Sequence, residues 1–493
     1  MLHALSLGDE RVARAFLYAG LFSAFWAGIF WIALGSRKPT GKAQSELITL
    51  LVGWLVLPGF AAIPLIILTP QIGLTGAWFE MVTCLTTTGS SVYLDATRVD
   101  TTLHLWRAIV GWLGGLMTLM AAYVILAPRR MGGFEVQTGG SSALASEGPA
   151  TDVRLVELGA QMPPVENRAA RALRILLPAY GGLTAVLVVL FGTAGGVSMD
   201  TVIHALGVVS TSGITALPDG MASAPNIGVE IIAAFGLVCA ATARLYGNAS
   251  RVGARMPLRS DPELRLMAWI VVVATLMLFV RHWLATLGQG YDEEAELEAL
   301  SALWGTFFTI LSFLTTTGYE SASWQSARAW AGLENPTLIL LGLAALGGGA
   351  ATTAGGMKLL RAAALIRHGL DEIGRLAQPA AVNPRRGIER RLGIERARGT
   401  VVTAGAFLAW AFIMLYAGAV LAVALALAFT GLPFETAFIA AVAAVSNTGP
   451  AFGAVAPLHE NFALMTAPQQ VCLAAGMIAG RIETLALIAL MRR

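Results

Sequence analysis

The sequence predicts an all-α polytopic membrane protein, in which four helix–pore half-helix–helix repeats surround one central ion pathway and an extra helix precedes them. Two observations carry that prediction. Of 493 residues, 56% are hydrophobic and 13% charged, about half the charged share of soluble domains. A Thr/Ser-rich tripeptide closing on glycine also recurs four times, as Thr87-Thr88-Gly89, Thr211-Ser212-Gly213, Thr316-Thr317-Gly318 and Asn447-Thr448-Gly449. The glycines lie 124, 105 and 131 residues apart (213−89, 318−213, 449−318). That is too long for a solenoid repeat and long enough for a helix, a re-entrant loop and a second helix.

Apolar stretches long enough to cross the hydrocarbon core run near residues 16–35, 47–69, 103–127, 173–195, 226–245, 265–285, 336–366, 404–430 and 464–491, which gives nine expected spans. The first follows Arg11 and Arg14, lacks a small-residue cleavage site and ends in Arg37 and Lys38, so it reads as a retained helix. The spans group into an N-terminal helix and linker (1–44), repeat 1 (45–130), a cytoplasmic linker with repeat 2 (131–255), repeat 3 (256–375) and a second linker with repeat 4 (376–493). The cysteines, Cys84, Cys239 and Cys472, sit in apolar runs without CxxC spacing, which points to packing.

Arginine placement sets the orientation. Arg129, Arg130, Arg154, Arg168, Arg171 and Arg174 form one basic segment, Arg251, Arg255, Arg259 and Arg265 a second, and Lys358 through Arg398 a third; all three belong on the cytoplasmic side. The segments that hold the tripeptides are poor in basic residues and face outward. A single helix ahead of residue 47 then places the N-terminus outside, against the charge of Arg11 and Arg14.

Ahead of each tripeptide lies an apolar run too short to span: 77–85, 200–206, 303–310 and 434–439. Each reads as a half-membrane helix whose negative C-terminal end points to the membrane centre, where it stabilises a cation. Three of them carry an acid taken to lie near the start: Glu80, Asp200 and Glu435. Glycine lets successive carbonyls turn inward, and four such loops can replace an ion's hydration shell. The expected ligands are the carbonyls of Thr87, Thr88, Gly89, Thr211, Ser212, Gly213, Thr316, Thr317, Gly318, Asn447, Thr448 and Gly449. With no acid inside the motifs, a weakly hydrated monovalent cation is favoured, and K+ is the natural candidate.

Five glycines between 347 and 356 (Gly347, Gly348, Gly349, Gly355 and Gly356) argue for a break in the second helix of repeat 3, either a loop in the pore or a site of close packing. Lys358 has two readings, contact with that loop or snorkelling to the inner surface. Arg481 lies within an apolar span and so faces water or a partner; an electrostatic gate and a structural pair both fit. Glu483, two residues on, points to another face. The acidic stretch 292–298 either focuses cations or forms the first turn of the third pore helix.

These residues resemble the Trk/Ktr/HKT superfamily of potassium transporters, and within it the bacterial TrkH-type subunit, over roughly residues 45–493. The resemblance is carried by Phe79-Glu80 running into Leu85-Thr86-Thr87-Thr88-Gly89, by Trp106-Arg107 with Gly111-Trp112-Leu113-Gly114-Gly115, and by Leu314-Thr315-Thr316-Thr317-Gly318-Tyr319. It also rests on Gly347 through Lys358 and on Met477-Ile478-Ala479-Gly480-Arg481-Ile482-Glu483. It implies that 347–357 is an intramembrane gate loop and that Arg481 lies near the pore below the filter. It further implies a homodimer in the bacterial inner membrane that docks a cytosolic, nucleotide-binding, TrkA-like regulatory ring. This chain departs from the pattern where Ser212-Gly213-Ile214 replaces a Gly-Gly pair, where Ala351 replaces a loop glycine, and where one N-terminal helix stands for two.

Two other classes are weighed. A sodium- or proton-coupled potassium symporter predicts paired acids within the spans, and Glu483 is nearly the sole example. A polytopic membrane enzyme needs clustered ligands, but the six histidines are scattered without HExxH. There is no P-loop and no nucleic-acid signature, so the expected partners are potassium ion and membrane lipid.

Overall fold

The computed structural model describes the chain apart from residues 36–42, 94–98, 130–164, 218–219, 244–245, 247–260, 287–292, 331–335, 378–393, 456–461 and 484–493. Among the described residues the regular structure is entirely helical. The N-terminal part is α1 (Leu2–Ser6) and α2 (Glu10–Leu34). Repeat 1 follows as α3 (Ala43–Ala61), α4 (Ile63–Leu68), the pore helix α5 (Gly73–Leu85) and α6 (Thr101–Ala121). Repeat 2 is α7 (Val165–Gly195), the pore helix α8 (Met199–Ser210) and α9 (Ile227–Ala240). In repeat 3, α10 (Pro262–Thr286) leads to the pore helix α11 (Glu293–Leu314), then α12 (Trp324–Trp330), α13 (Thr337–Leu346) and α14 (Leu359–Ala377). Repeat 4 closes the chain with α15 (Ile394–Phe429), the pore helix α16 (Phe434–Val445), α17 (Pro450–Val455) and α18 (Ala467–Ile482).

Among the described residues six helices are long and apolar enough to cross a membrane, against the nine spans expected. The shortfall has local causes. The stretch 226–245 stops as a helix at Ala240, and the Ala241 carbonyl beyond it accepts from Gly349 N–H (3.2 Å). The stretch 336–366 is broken by loop 347–358 between α13 and α14, as its glycines predict. The final stretch is described only to Glu483, where the helix has ended at Ile482.

Two pore helices differ from expectation in length. The third runs 22 residues, with the acidic stretch forming its first turns from Glu293 onward. The first begins at Gly73 and has no acid in its first turn, so Glu80 lies well inside it and is fully buried. The N-terminal segment docks beside the start of α6, just after the first tripeptide loop. His3 Nδ1 lies 3.0 Å from Thr102 Oγ1, and Ala4, Val12 and Ala13 pack with Phe16 and Leu68. Arg11 and Arg14 are exposed there. Arg168, counted among the cytoplasmic charges, is instead buried, pairing with Glu46 (2.7 Å) and donating to the Val124 carbonyl in a π-helical turn (Ala122–Leu126) that continues α6. Most of the other basic residues used to orient the chain lie outside the described residues.

Candidate functional site

Every pore helix ends in the same way. Thr88 N–H donates to Thr83 O (2.8 Å) and Thr87 N–H to Cys84 O (2.9 Å), the two bonds of a Schellman cap. Ser212 to Gly207 with Thr211 to Val208, Thr317 to Ser312 with Thr316 to Phe313, and Thr448 to Ala443 with Asn447 to Ala444 repeat the pair in the other three copies. The left-handed position of such a cap usually takes glycine. Here it holds Thr87 (φ 50°), Thr211 (φ 52°), Thr316 (φ 60°) and Asn447 (φ 55°). A β-branched residue at positive φ is a genuine outlier, and such strain persists where the surroundings over-determine it. Sequence reasoning named these residues as ligands but placed the conformational demand on the glycine alone and missed their left-handed backbone.

The glycines play a second part. Gly89, Gly213 and Gly318 have φ of 75°, 66° and 81°. A Cβ on Gly89 would strike the Ser212 carbonyl oxygen, one on Gly213 the Thr317 carbonyl oxygen, one on Gly318 the ring of Pro450, and one on Gly449 the Thr88 carbonyl oxygen and Ser90. Each glycine therefore abuts the loop of the next repeat in the order 1, 2, 3, 4, 1, and all twelve predicted residues come together in one closed ring. Thr87, Thr88, Thr211, Ser212, Thr316, Thr317, Asn447 and Thr448 are wholly buried.

The fourth copy is not equivalent to the others. Gly449 does not have positive φ, and its N–H donates to Thr88 O (2.7 Å). The Thr448 and Gly449 carbonyls accept from Ala451 and Phe452 as α17 begins. Its glycine is required for close approach rather than for backbone angle. On the exit side all four glycines line a cavity of about 690 Å³, together with Tyr93, Arg107, Glu320 and Gln325.

Below the ring, loop 347–358 and Arg481 grip the left-handed residues by their side chains. Gly355 N–H donates to Thr316 Oγ1 (2.7 Å), Thr211 Oγ1 donates to Thr353 Oγ1 (3.2 Å), and a Cβ on Gly355 would strike the Ser446 carbonyl oxygen. Arg481 donates to Thr86 O and Thr353 O (2.6 Å each) and to Thr87 Oγ1. Arg481 bridges the first tripeptide loop to loop 347–358. Glu483 pairs with Arg361 (2.8 Å), whose guanidinium sits over the Phe412 ring. Lys358 is buried, has φ 77° and donates to Ala354 O, so it contacts the loop and does not snorkel. Ala351, where the resemblance calls for glycine, takes φ 55°. Gly347 and Gly356 are also left-handed, and each would clash with the other if it carried a Cβ.

A family model for TrkH, described as cation transport protein, matches residues 14–493. The chain belongs to the TrkH family of cation transport proteins. Curated relatives of this TrkH-family chain include the Trk system potassium uptake protein TrkI of Halomonas elongata, 27% identical over 94% of this chain and 86% of that protein. The Trk system potassium uptake protein TrkH of Salmonella typhimurium is 27% identical over 98% of this chain and 92% of the relative. Among solved structures, the crystal structure of the potassium transporter TrkH from Vibrio parahaemolyticus shares the fold, with a TM-score of 0.75 at 24% identity over 99% of this chain and 93% of that one. Family and fold together make this a multi-pass membrane transport protein and not an enzyme.

The pairing of Glu80 in this TrkH-family chain, and Glu230 and Glu263 altogether, escaped the sequence reading. Glu80 accepts from Val92 N–H (2.7 Å) and from Arg107 (2.5 Å), which also lies 3.1 Å from His104. Glu230 accepts from Trp304, Ser321 and Ala322. Glu263 accepts from Ala350 N–H of the loop (2.8 Å). Acids packed inside the molecule are thus more numerous than the sequence suggested: Glu80 is held by Arg107 and Val92 N–H, Glu230 by three hydrogen-bond donors and the half-buried Glu263 by Ala350 N–H. A glutamate within an apolar run was the available signal.

Proposed function

We propose that this chain carries potassium ions inward down their electrochemical gradient through a channel-like filter, gated by loop 347–357. The observation that carries the reading is the closed ring of four Schellman-capped loops, each glycine abutting the next loop. Such a ring presents main-chain and threonine oxygens to a central ion without a carboxylate among them, which suits a large, easily dehydrated monovalent cation. The Thr87, Gly89, Thr211, Ser212, Gly213, Thr316, Thr317, Gly318 and Asn447 carbonyls are the main ligands. Thr88, Thr448 and Gly449 share theirs with main-chain donors. The loop beneath supports the gate reading through its bonds to Thr211 and Thr316 and through Arg481. The relatives named as potassium uptake proteins support the choice of ion. A bacterial inner-membrane homodimer, a TrkA-like nucleotide-binding ring and the repeat boundaries given above complete the proposal and rest on the family resemblance.

Uptake by potassium-starved cells, with and without a pH or sodium gradient, tests it. Flux that follows membrane voltage alone supports the pore. Flux that requires either gradient replaces it with a coupled symporter.

A further inference from the structure

Resting on the carbonyl-filter reading, we infer that Glu230 is a positioning residue for the third filter and sets its discrimination between potassium and sodium. Glu230 belongs to repeat 2, in the first turn of α9, yet all its side-chain partners belong to repeat 3. Its Oε2 accepts from Trp304 Nε1 and Ser321 Oγ (2.7 Å each), and its Oε1 from Ala322 N–H (2.8 Å). The carboxylate is 3% exposed. Ser321 and Ala322 lie three and four residues beyond Gly318, on the strand of chain that leaves the filter; Trp304 lies on the pore helix that enters it. One anion therefore ties both ends of the third filter.

The first repeat shows why an imported carboxylate is needed. Glu80, nine residues before Gly89 (89−80), accepts from Val92 N–H, three residues beyond it. The matching place in repeat 3 (318−9) is Thr309, whose short side chain accepts only from Ser321 N–H (3.3 Å). Repeat 3 closes the matching main-chain bond with a neutral hydroxyl, and Glu230 brings a carboxylate from the neighbouring repeat to the next donors, Ser321 Oγ and Ala322 N–H. The brace is reciprocal, since Tyr319, the residue after Gly318, donates its hydroxyl to Ile214 O (3.1 Å), the residue after Gly213. Repeats 2 and 3 thus hold each other's filter exits.

Charge-assisted hydrogen bonds are short and roughly twice as strong as neutral ones. Deleting the acceptor leaves the buried Ser321 hydroxyl without it, removes the partner of the half-buried Trp304 and of Ala322 N–H, and frees the segment that fixes the radius at Thr317 and Gly318. A filter that can relax inward no longer penalises the smaller sodium ion, while its conduction path stays open.

The test compares rubidium and sodium uptake, in full-length protein reconstituted in liposomes, for Glu230→Ala, Glu230→Gln, Ser321→Ala and Gly318→Ser. Glu230→Ala is expected to lower the rubidium-to-sodium ratio about tenfold, with Glu230→Gln between it and the parent because one acceptor oxygen is kept. A Glu230→Ala protein that inserts normally and carries less of both ions at an unchanged ratio overturns the inference, since a merely structural role lowers flux without changing selectivity. If Glu230→Ala does not reach the membrane, Ser321→Ala decides, because it removes one donor and keeps the carboxylate: a two- to threefold fall, roughly, supports the inference and an unchanged ratio overturns it. Gly318→Ser separates the two readings. If it collapses the ratio while Glu230→Ala does not, only the positioning role falls; if it too leaves the ratio unchanged, the filter reading falls with it.

Discussion

Arg481 donates to the carbonyl oxygen of Thr353 at 2.6 Å, and through the same guanidinium to Thr86 O at 2.6 Å. A single cation from the last helix thereby joins the first filter to the intramembrane loop. On the proposed reading it adds a fixed positive charge below the ring, which opposes cation passage.

Replacing Arg481 with alanine removes both the charge and the tie. Potassium flux through purified protein in liposomes should rise by about tenfold, because hydrogen bonds to a charged group contribute about 1.5–3 kcal/mol, with folding intact by size-exclusion profile. Loss of the folded protein with no gain in flux would assign Arg481 a structural part only.

Glu263 holds the same loop from the other side, through Ala350 N–H. Glu263→Ala leaves that donor unpaired and loosens the loop, so flux should rise two- to tenfold, roughly, without change in the potassium-to-sodium ratio. A changed ratio would mean that Glu263 acts on the filter instead.

Gly89→Ser is disfavoured twice, by φ 75° and by collision with the Ser212 carbonyl. It should admit sodium far better than the parent, read as relative uptake of the two ions. Gly453 lines the same outer cavity with no atom within 4 Å of a built Cβ, and Gly453→Ala should stay within about 0.5 kcal/mol of the parent in stability and keep its selectivity. Equal behaviour of the two variants would contradict the ring.

Glu320 lines the outer cavity, and burial pushes its carboxyl above the usual carboxylate range, with the Arg328 charge drawing it partly back. A raised acid loses its charge at higher pH than an exposed one. The negative field that gathers cations at the mouth should therefore weaken as external pH falls from neutral. Potassium uptake should fall over the same range, and Glu320→Gln should give a low uptake that no longer varies there. A Glu320→Gln variant with the parent's pH profile would exclude this carboxylate as the cause.

The membrane class, the four tripeptides and the broken helix of repeat 3 were all readable from the chain, because each is a local matter of apolar length, backbone freedom and glycine density. The sequence shows only part of the reason for the four glycines, their backbone freedom. Gly449 is needed for contact with Thr88 and Ser90, which no local pattern encodes. Glu80 was read as a first-turn acid because the start of its helix is not marked by a capping residue; Ile72 makes no side-chain cap. Nothing local marks Glu230 and Glu263, since their partners lie 74 to 92 and 87 residues away in sequence.

Hydropathy and recurrence alone determined that this protein crosses a membrane in four related units and where each unit turns back. The tertiary structure alone decided which side chains link those units: Arg481 to the loop, Glu230 to the third filter, Arg361 to Glu483. The reason is physical. Burial of a helix depends on its own composition, whereas a buried charge is stable only beside partners that folding brings to it from distant parts of the chain.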